Sequence, residues 1–89
     1  MTIHYGTVPQ VQAQSIEITI APGQFWRHYK GRRYYVCSLA LDEATLTWNV
    51  HYRGADGGPF WLRPLSVWMG MARDENGELV KRFTLETTP

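Results

Sequence analysis

Short stretches in which apolar and polar residues alternate dominate the chain. Ile16–Ile20 has isoleucine at every second position, with Glu17 and Thr19 between, as in a half-buried strand. Leu46–Arg53 shows the clearest alternation of all. One of its two faces would comprise Leu46, Trp48, Val50 and Tyr52. Both stretches therefore predict β-strands with one face turned toward a core.

Turn-forming residues separate the other predicted strands. Gln24–Tyr29 and Arg33–Leu41 flank the turn Lys30–Arg32, in which Gly31 adopts a positive φ at little cost, so the two strands are expected to form a hairpin. Asp42–Thr45 predicts the next turn. The remaining elements are expected in this order: a loop at Gly54–Pro59, a strand at Phe60–Arg63, a helical turn within Pro64–Met69, a strand at Met71–Arg73, a turn at Asp74–Gly77, and a strand at Leu79–Leu85 with Leu79, Phe83 and Leu85 on one face.

This pattern gives six or seven short strands and at most one short helical turn. Such spacing without a long helix is typical of a small barrel, roll or sandwich, so the fold class is mostly β. We expect residues 22–86 to form the domain, residues 1–21 to be an N-terminal extension with an added strand, and residues 87–89 to be a tail.

Composition supports a small but real core. A chain of 89 residues is one domain by length, and it buries about 60–65% of the surface that its unfolded form exposes. Aromatic residues make up 13% of the chain, including four Trp and five Tyr. Large rings bury much area each, so these aromatics are first of all a source of stability.

Charge and targeting signals restrict the possible partners. The net charge of +1 gives no global reason to bind nucleic acid or an anionic membrane. Residues 27–33 nevertheless form a local basic stripe that contains Arg27, His28, Lys30, Arg32 and Arg33. The sequence shows neither a signal peptide pattern nor a stretch that could span a bilayer, so we expect a cytoplasmic protein without a membrane partner.

Residues with catalytic or metal-binding chemistry are few and dispersed. His4, His28, His51 and Cys37 lack the spacing of a zinc site, so no metal or cofactor is predicted. Cys37 lies in an apolar run, as a buried structural cysteine would, and cannot form an intramolecular disulfide. The carboxylates concentrate at the predicted turns, as Asp42-Glu43, Asp56 and Asp74-Glu75. Gly54–Pro59 lacks the pattern of a phosphate-binding loop. No catalytic residue is predicted, and the sequence favours a non-enzymatic domain.

One group of residues combines cationic side chains with rings. Its members are Arg27, His28, Tyr29, Lys30, Arg32, Arg53, Trp61 and Arg63. Such a surface binds phosphate by charge-assisted hydrogen bonds and stacks a base on an aromatic face. The alternative is purely structural, because alternation places half of the residues in each strand in the core. Tyr52, which shares a face with Val50, is expected there.

Three classes of function remain open. The first is a binding module for an anionic partner, namely nucleic acid, a nucleotide or an acidic peptide. The second is a small-molecule sensor or enzyme with a pocket near Trp61 and Arg63. The third is homodimerisation through Ile16–Ile20 or through the exposed part of Trp68–Met71.

Several short motifs also occur together in the order of a known family. They are Pro22-Gly23, Arg27-His28-Tyr29-Lys30-Gly31, Tyr34 with Val36, Val50-His51-Tyr52-Arg53, Trp61-Leu62-Arg63-Pro64-Leu65 and Arg82-Phe83. Over residues 22–84 the chain resembles a family of small bacterial domains catalogued as domain of unknown function 1653. The resemblance implies an SH3-like β roll and an unassigned activity, and it supplies no catalytic residues. The chain departs from the family at Leu41–Thr45, where other members show a stretch similar to Arg-His-Ser-Glu-Thr.

Overall fold

The computed structural model describes residues 20–86, and this part of the chain is built almost entirely from strands. In chain order its elements are β1 (Phe25–His28), β2 (Arg33–Leu41), β3 (Trp48–Gly54), β4 (Gly57–Pro64), α1 (Leu65–Trp68), β5 (Met71–Arg73), β6 (Leu79–Lys81) and β7 (Phe83–Leu85). The predicted mostly β class, with at most one helical turn, is therefore confirmed. The strand predicted at Ile16–Ile20 lies outside the described residues except for Ile20. No helix within residues 20–86 is long and apolar enough to cross a membrane.

Five strands form one antiparallel sheet in the order β4-β3-β2-β1-β7, and β5 pairs with β6 in a separate ribbon. Within the described residues β4 and β7 are the two edges of the sheet. The sheet is therefore not closed into a barrel, and the architecture is compatible with a small open roll. Below, the face of the sheet that packs on the core is called the inner face, and the opposite one is called the outer face.

Aromatic contacts form the centre of the core. Trp68 is fully buried, and its ring stacks on that of Phe83 with 3.7 Å between centroids and 5° between planes. Trp26 and Tyr52 meet the Trp68 ring edge-on, at 5.8 and 4.8 Å. The remaining buried members of the cluster are Ile20, Val36 and Val50. Because side chains alternate between the two faces of a strand, one face of β1, β2 and β3 packs into the core.

Helix α1 is stabilised by packing on this core, because it is too short to be stable by itself. It has four residues, begins after Pro64 and ends where the Met69 N–H donates to the Leu65 carbonyl at 2.9 Å. So short a helix is unstable in isolation. Burial of Trp68 on the sheet therefore holds the helix in place.

A bulge in β2 alters the expected position of Cys37. The register shifts between Val36 and Ser38, which leaves Cys37 as the extra residue. Val36 pairs with Tyr52 and Leu39 with Val50, so both remain on the inner face although they are three residues apart. Cys37 is half-buried, so the expectation of a buried cysteine was wrong.

The hairpin between β3 and β4 is tighter than the sequence suggests. The connection predicted at Gly54–Pro59 is present, but its bounds were wrong: the turn is confined to residues 55–56, because β3 extends to Gly54 and β4 begins at Gly57. Gly57 and Gly58 adopt φ values of 114° and 97°, which glycine tolerates while the strand is forming. Pro59 is accommodated because β4 is an edge strand and needs hydrogen bonds on one side only.

The stretch Leu79–Leu85 is two strands in different sheets rather than one. Arg82 separates them, and its N–H donates to the Gly70 carbonyl at 3.0 Å. The Arg82 guanidinium also donates to the carbonyls of Val67 and Met71, at 3.2 and 3.0 Å. Leu79 is consequently exposed in the ribbon and does not share the environment of Phe83.

Leu46 likewise lies outside the strand that the alternation predicts at Leu46–Arg53. Its φ is 58°, its side chain is 70% exposed, and its N–H donates to the Asp42 carbonyl at 2.7 Å. The Asp42 carboxylate accepts the N–H groups of Ala44 and Thr45, at 2.9 and 3.1 Å. This aspartate turn overrides the alternation, and β3 begins at Trp48.

Removing the central ring should destabilise the protein severely. We expect Trp68→Ala to lower the free energy of unfolding by about 3–5 kcal/mol, because the cavity cannot collapse fully. The neighbouring Val67→Ala, at an exposed position of the same helix, should cost less than about 1 kcal/mol. Urea unfolding followed by circular dichroism measures both, and equal costs for the two variants would contradict the central role of Trp68.

Candidate anion-binding site

The structure divides the predicted binding residues between the two faces of the sheet. Directly paired residues share a face. Trp61 pairs with Tyr52 and Arg63 with Val50, so both lie on the inner face. The predicted residues on this side are His28, Arg32, Trp61 and Arg63; Arg27 and Arg53 lie on the outer face; Tyr29 and Lys30 occupy the turn after β1. The group predicted from the sequence is therefore not one surface.

Arg63 is a cation of the inner face whose side chain is held in a defined orientation. Its Nε donates to the Tyr52 hydroxyl at 3.1 Å, and its guanidinium lies 5.3 Å from the centroid of the Phe83 ring. The side chain is half-buried, and no carboxylate of the described residues lies within 4.0 Å of it. Its orientation is thus fixed by neutral groups, and its terminal amino groups remain able to donate to a ligand.

His28 contacts the same Phe83 ring from β1. The two ring centroids are 5.0 Å apart, and the imidazole also leans against Tyr29 at 4.6 Å. Its Nδ1 accepts the backbone N–H of Lys30 at 3.1 Å. A neutral His28 therefore carries its proton on Nε2, which makes that atom a hydrogen-bond donor.

The surroundings of His28 are positively charged. Burial lowers the pKa of His28 below its ordinary value of 6.5, and the charges of Arg63, Lys30 and Arg82 lower it further. None of these four residues has a carboxylate partner within 4.0 Å among the described residues. We call His28, Lys30, Arg63 and Arg82 the basic cluster. It is a local concentration of positive charge that the described protein does not neutralise.

Arg32 lies next to the basic cluster, and unlike Arg63 its guanidinium has a carboxylate partner. Its guanidinium lies 5.2 Å from the centroid of the Tyr34 ring and 3.3 Å from the Asp56 carboxylate. A Cβ at Gly54 would overlap this guanidinium, so the buried glycine permits the approach. The ion pair with Asp56 is exposed, and such pairs contribute little and are easily exchanged.

Two members of the site, Arg82 and Phe83, are not predicted by the sequence pattern, because only the fold brings them to it. Arg82 donates to backbone carbonyls and thereby adds a fixed positive charge, while Phe83 provides the ring that His28 and Arg63 share. Their adjacency in the Arg82-Phe83 motif was a signal, because that motif was among those used for the family resemblance. The strand pattern alone placed Phe83 on one face with Leu79 and Leu85 and gave no reason to associate it with ligands.

Trp61 provides an exposed ring close to the cluster. It is 47% exposed on β4 and lies two residues from Arg63 on the same face, which separates the two Cα atoms by roughly 6.5–7 Å. Among the described residues no group of three or more His, Cys, Asp or Glu side chains is arranged to hold a metal ion. Trp61 thus places an exposed ring near Arg63 on the same face of β4.

A concave surface occurs elsewhere on the described part of the molecule. An open groove runs between β1, β7 and the β5–β6 ribbon, and its walls include Arg27, His28, Tyr29, Met71, Leu79 and Lys81. Neither Trp61 nor Arg63 lines this groove. It therefore gives no support to the predicted pocket near those two residues.

The environment of His28 should be measurable directly. We expect the His28 ring to titrate below 6.5 in NMR spectra and its pKa to rise in Arg63→Met, which removes one of the charges that lower it. Between the folded pKa and 6.5 the unfolded chain binds more protons, so the contribution of His28 to stability is lost as pH falls through that window. A wild-type pKa at or above 6.5 would rule out the proposed electrostatics.

Comparison with known proteins agrees with this architecture. A family model described as "Protein of unknown function (DUF1653)" matches residues 24–85. A crystal structure of a DUF1653 protein from Bordetella bronchiseptica is 31% identical, with a TM-score of 0.62 over 79% of this chain and 94% of that chain. No curated protein matches. The resemblance noted in the sequence is thus confirmed, and the chain belongs to the DUF1653 family of proteins of unknown function.

Proposed function

We propose that the domain is a non-enzymatic binding module for an anionic partner and that the basic cluster holds the anionic group. The supporting observation is the position of Arg63, which neutral groups orient and which no described carboxylate neutralises. A guanidinium held in this way loses little freedom when it forms charge-assisted hydrogen bonds to phosphate or carboxylate oxygens. His28 would add a neutral donor from Nε2 and Lys30 a point charge.

A nucleotide fits the arrangement better than a bare anion does. Trp61 offers an exposed ring on the same face of β4 as Arg63, one repeat of the strand away. A base stacked on Trp61 and a phosphate at Arg63 would therefore belong to one small ligand. Each interaction alone is modest, because stacking on an aromatic ring contributes about 1–3 kcal/mol and a charged hydrogen bond about 1.5–3 kcal/mol.

Titration with adenosine monophosphate tests this proposal. We expect binding by the wild-type protein that weakens as salt increases and drops at least about tenfold in Arg63→Met, which retains the alkyl packing on Phe83 but not the donors. Trp61→Ala should weaken binding of adenosine monophosphate but leave binding of inorganic phosphate unchanged. The readout is the change in amide chemical shifts, with thermal unfolding to confirm that each variant is folded.

Two controls separate this site from general charge attraction. Arg73→Met removes an exposed arginine on the ribbon and should leave the affinity unchanged. A glutamate-rich peptide tests the alternative partner, and its binding in preference to adenosine monophosphate would assign the module to acidic proteins. Equal loss in Arg63→Met and Arg73→Met would refute a site at the basic cluster.

A further inference from the structure

The outer face of the sheet carries a row of rings and arginines that the basic cluster does not use. Phe60 pairs with Arg53, Arg53 with Tyr35, and Tyr35 with Phe25. These four residues thus lie directly opposite one another across β4, β3, β2 and β1, and we call them the outer ladder. Because adjacent strands are about 4.8 Å apart, the row extends for roughly 14 Å.

At one end of the outer ladder the ring is accessible to solvent. At the other end guanidinium groups lie over the rings. Phe60 is 62% exposed and leans against His51, with 5.2 Å between ring centroids. Phe25 and Tyr35 contact each other edge-on at 5.2 Å. The Arg53 guanidinium lies 5.4 Å from the Tyr35 centroid, so one cation lies between the Phe60 ring and the Tyr35–Phe25 pair of rings.

Positive charge exceeds negative charge on this face. Glu86 is the carboxylate that faces Arg27 and Arg33, at 3.0 and 2.8 Å. Arg53 has no carboxylate within 4.0 Å among the described residues. The bonds from Arg33 lower the pKa of Glu86, so this carboxylate is already engaged and leaves Arg53 uncompensated.

We propose that the outer ladder binds single-stranded nucleic acid. Bases would stack on Phe60 and on the Arg53–Tyr35 pair, and phosphates would approach Arg53 and Arg27. Aromatic side chains interleaved with arginines on an open sheet suit unpaired strands, because every base has a face to stack and the backbone is anionic. The row is long enough for about two or three bases.

Charge and shape disfavour other occupants of this face. A second copy of the chain, related by a two-fold axis, would place the arginines of one face against those of the other. An acidic peptide would satisfy the arginines but would leave the exposed Phe60 ring without a stacking partner. The proposal does not rest on the basic cluster, which lies on the opposite side of the sheet.

Fluorescence anisotropy with a labelled oligothymidylate of about ten nucleotides tests the proposal. We expect wild-type binding that weakens with salt, and about tenfold weaker binding in both Phe60→Ala and Arg53→Met. Phe60→Trp should retain the affinity, since it keeps a ring for stacking. Both loss variants alter half-buried or exposed outer-face positions and should remain folded, which circular dichroism checks.

Matched controls remove exposed groups of the same kinds from the ribbon. Leu79→Ala and Arg73→Met should bind oligothymidylate as the wild type does. Oligothymidylate binding that persists in Phe60→Ala and Arg53→Met but is lost in Arg63→Met would move the nucleic acid to the basic cluster and overturn this inference. Equal affinity for a duplex of the same length, or no binding by the wild type, would overturn it as well. If the protein fails to bind adenosine monophosphate but still binds oligothymidylate, the proposal for the basic cluster is contradicted and this inference stands.

Discussion

The parallel stack of Phe83 on Trp68 is the contact on which the rest of the structure depends. Trp68 ends a four-residue helix and Phe83 begins an edge strand, and neither element is stable alone. The same Phe83 ring lies beneath the guanidinium of Arg63 and against the imidazole of His28. A single packing contact therefore anchors the periphery of the core and positions the basic cluster.

Arginine side chains help to cover rings on both faces of the sheet. Guanidinium groups lie over Phe25, Tyr34, Tyr35 and Phe83 at centroid distances between 4.7 and 5.4 Å. Long cationic side chains shield apolar surface while their charged ends stay in water. In this domain, arginine side chains therefore both shield rings and carry the exposed positive charge.

The open sheet gives the two sides of the domain different chemistry. On the inner face Arg63 is fixed by a hydroxyl and a ring, whereas on the outer face Glu86 engages two of the three arginines. Helix α1 covers part of the inner face, while the exposed Phe60 ring lies on the outer face. The two sides of the sheet therefore differ in how their arginines are held.

The sequence by itself determined the local features, because alternation and turn residues act over a few positions. It predicted β2 at Arg33–Leu41, the helical turn after Pro64 and the buried position of Tyr52. Only the tertiary structure decided which distant residues meet. Arg82 divides Leu79–Leu85 between two sheets because its partners are carbonyls from another segment, and His28 and Arg63 meet at Phe83 through strand pairing. Alternation assigns each side chain to one face of its strand but does not say which strand pairs with it. The sequence therefore could not predict which residues form the site.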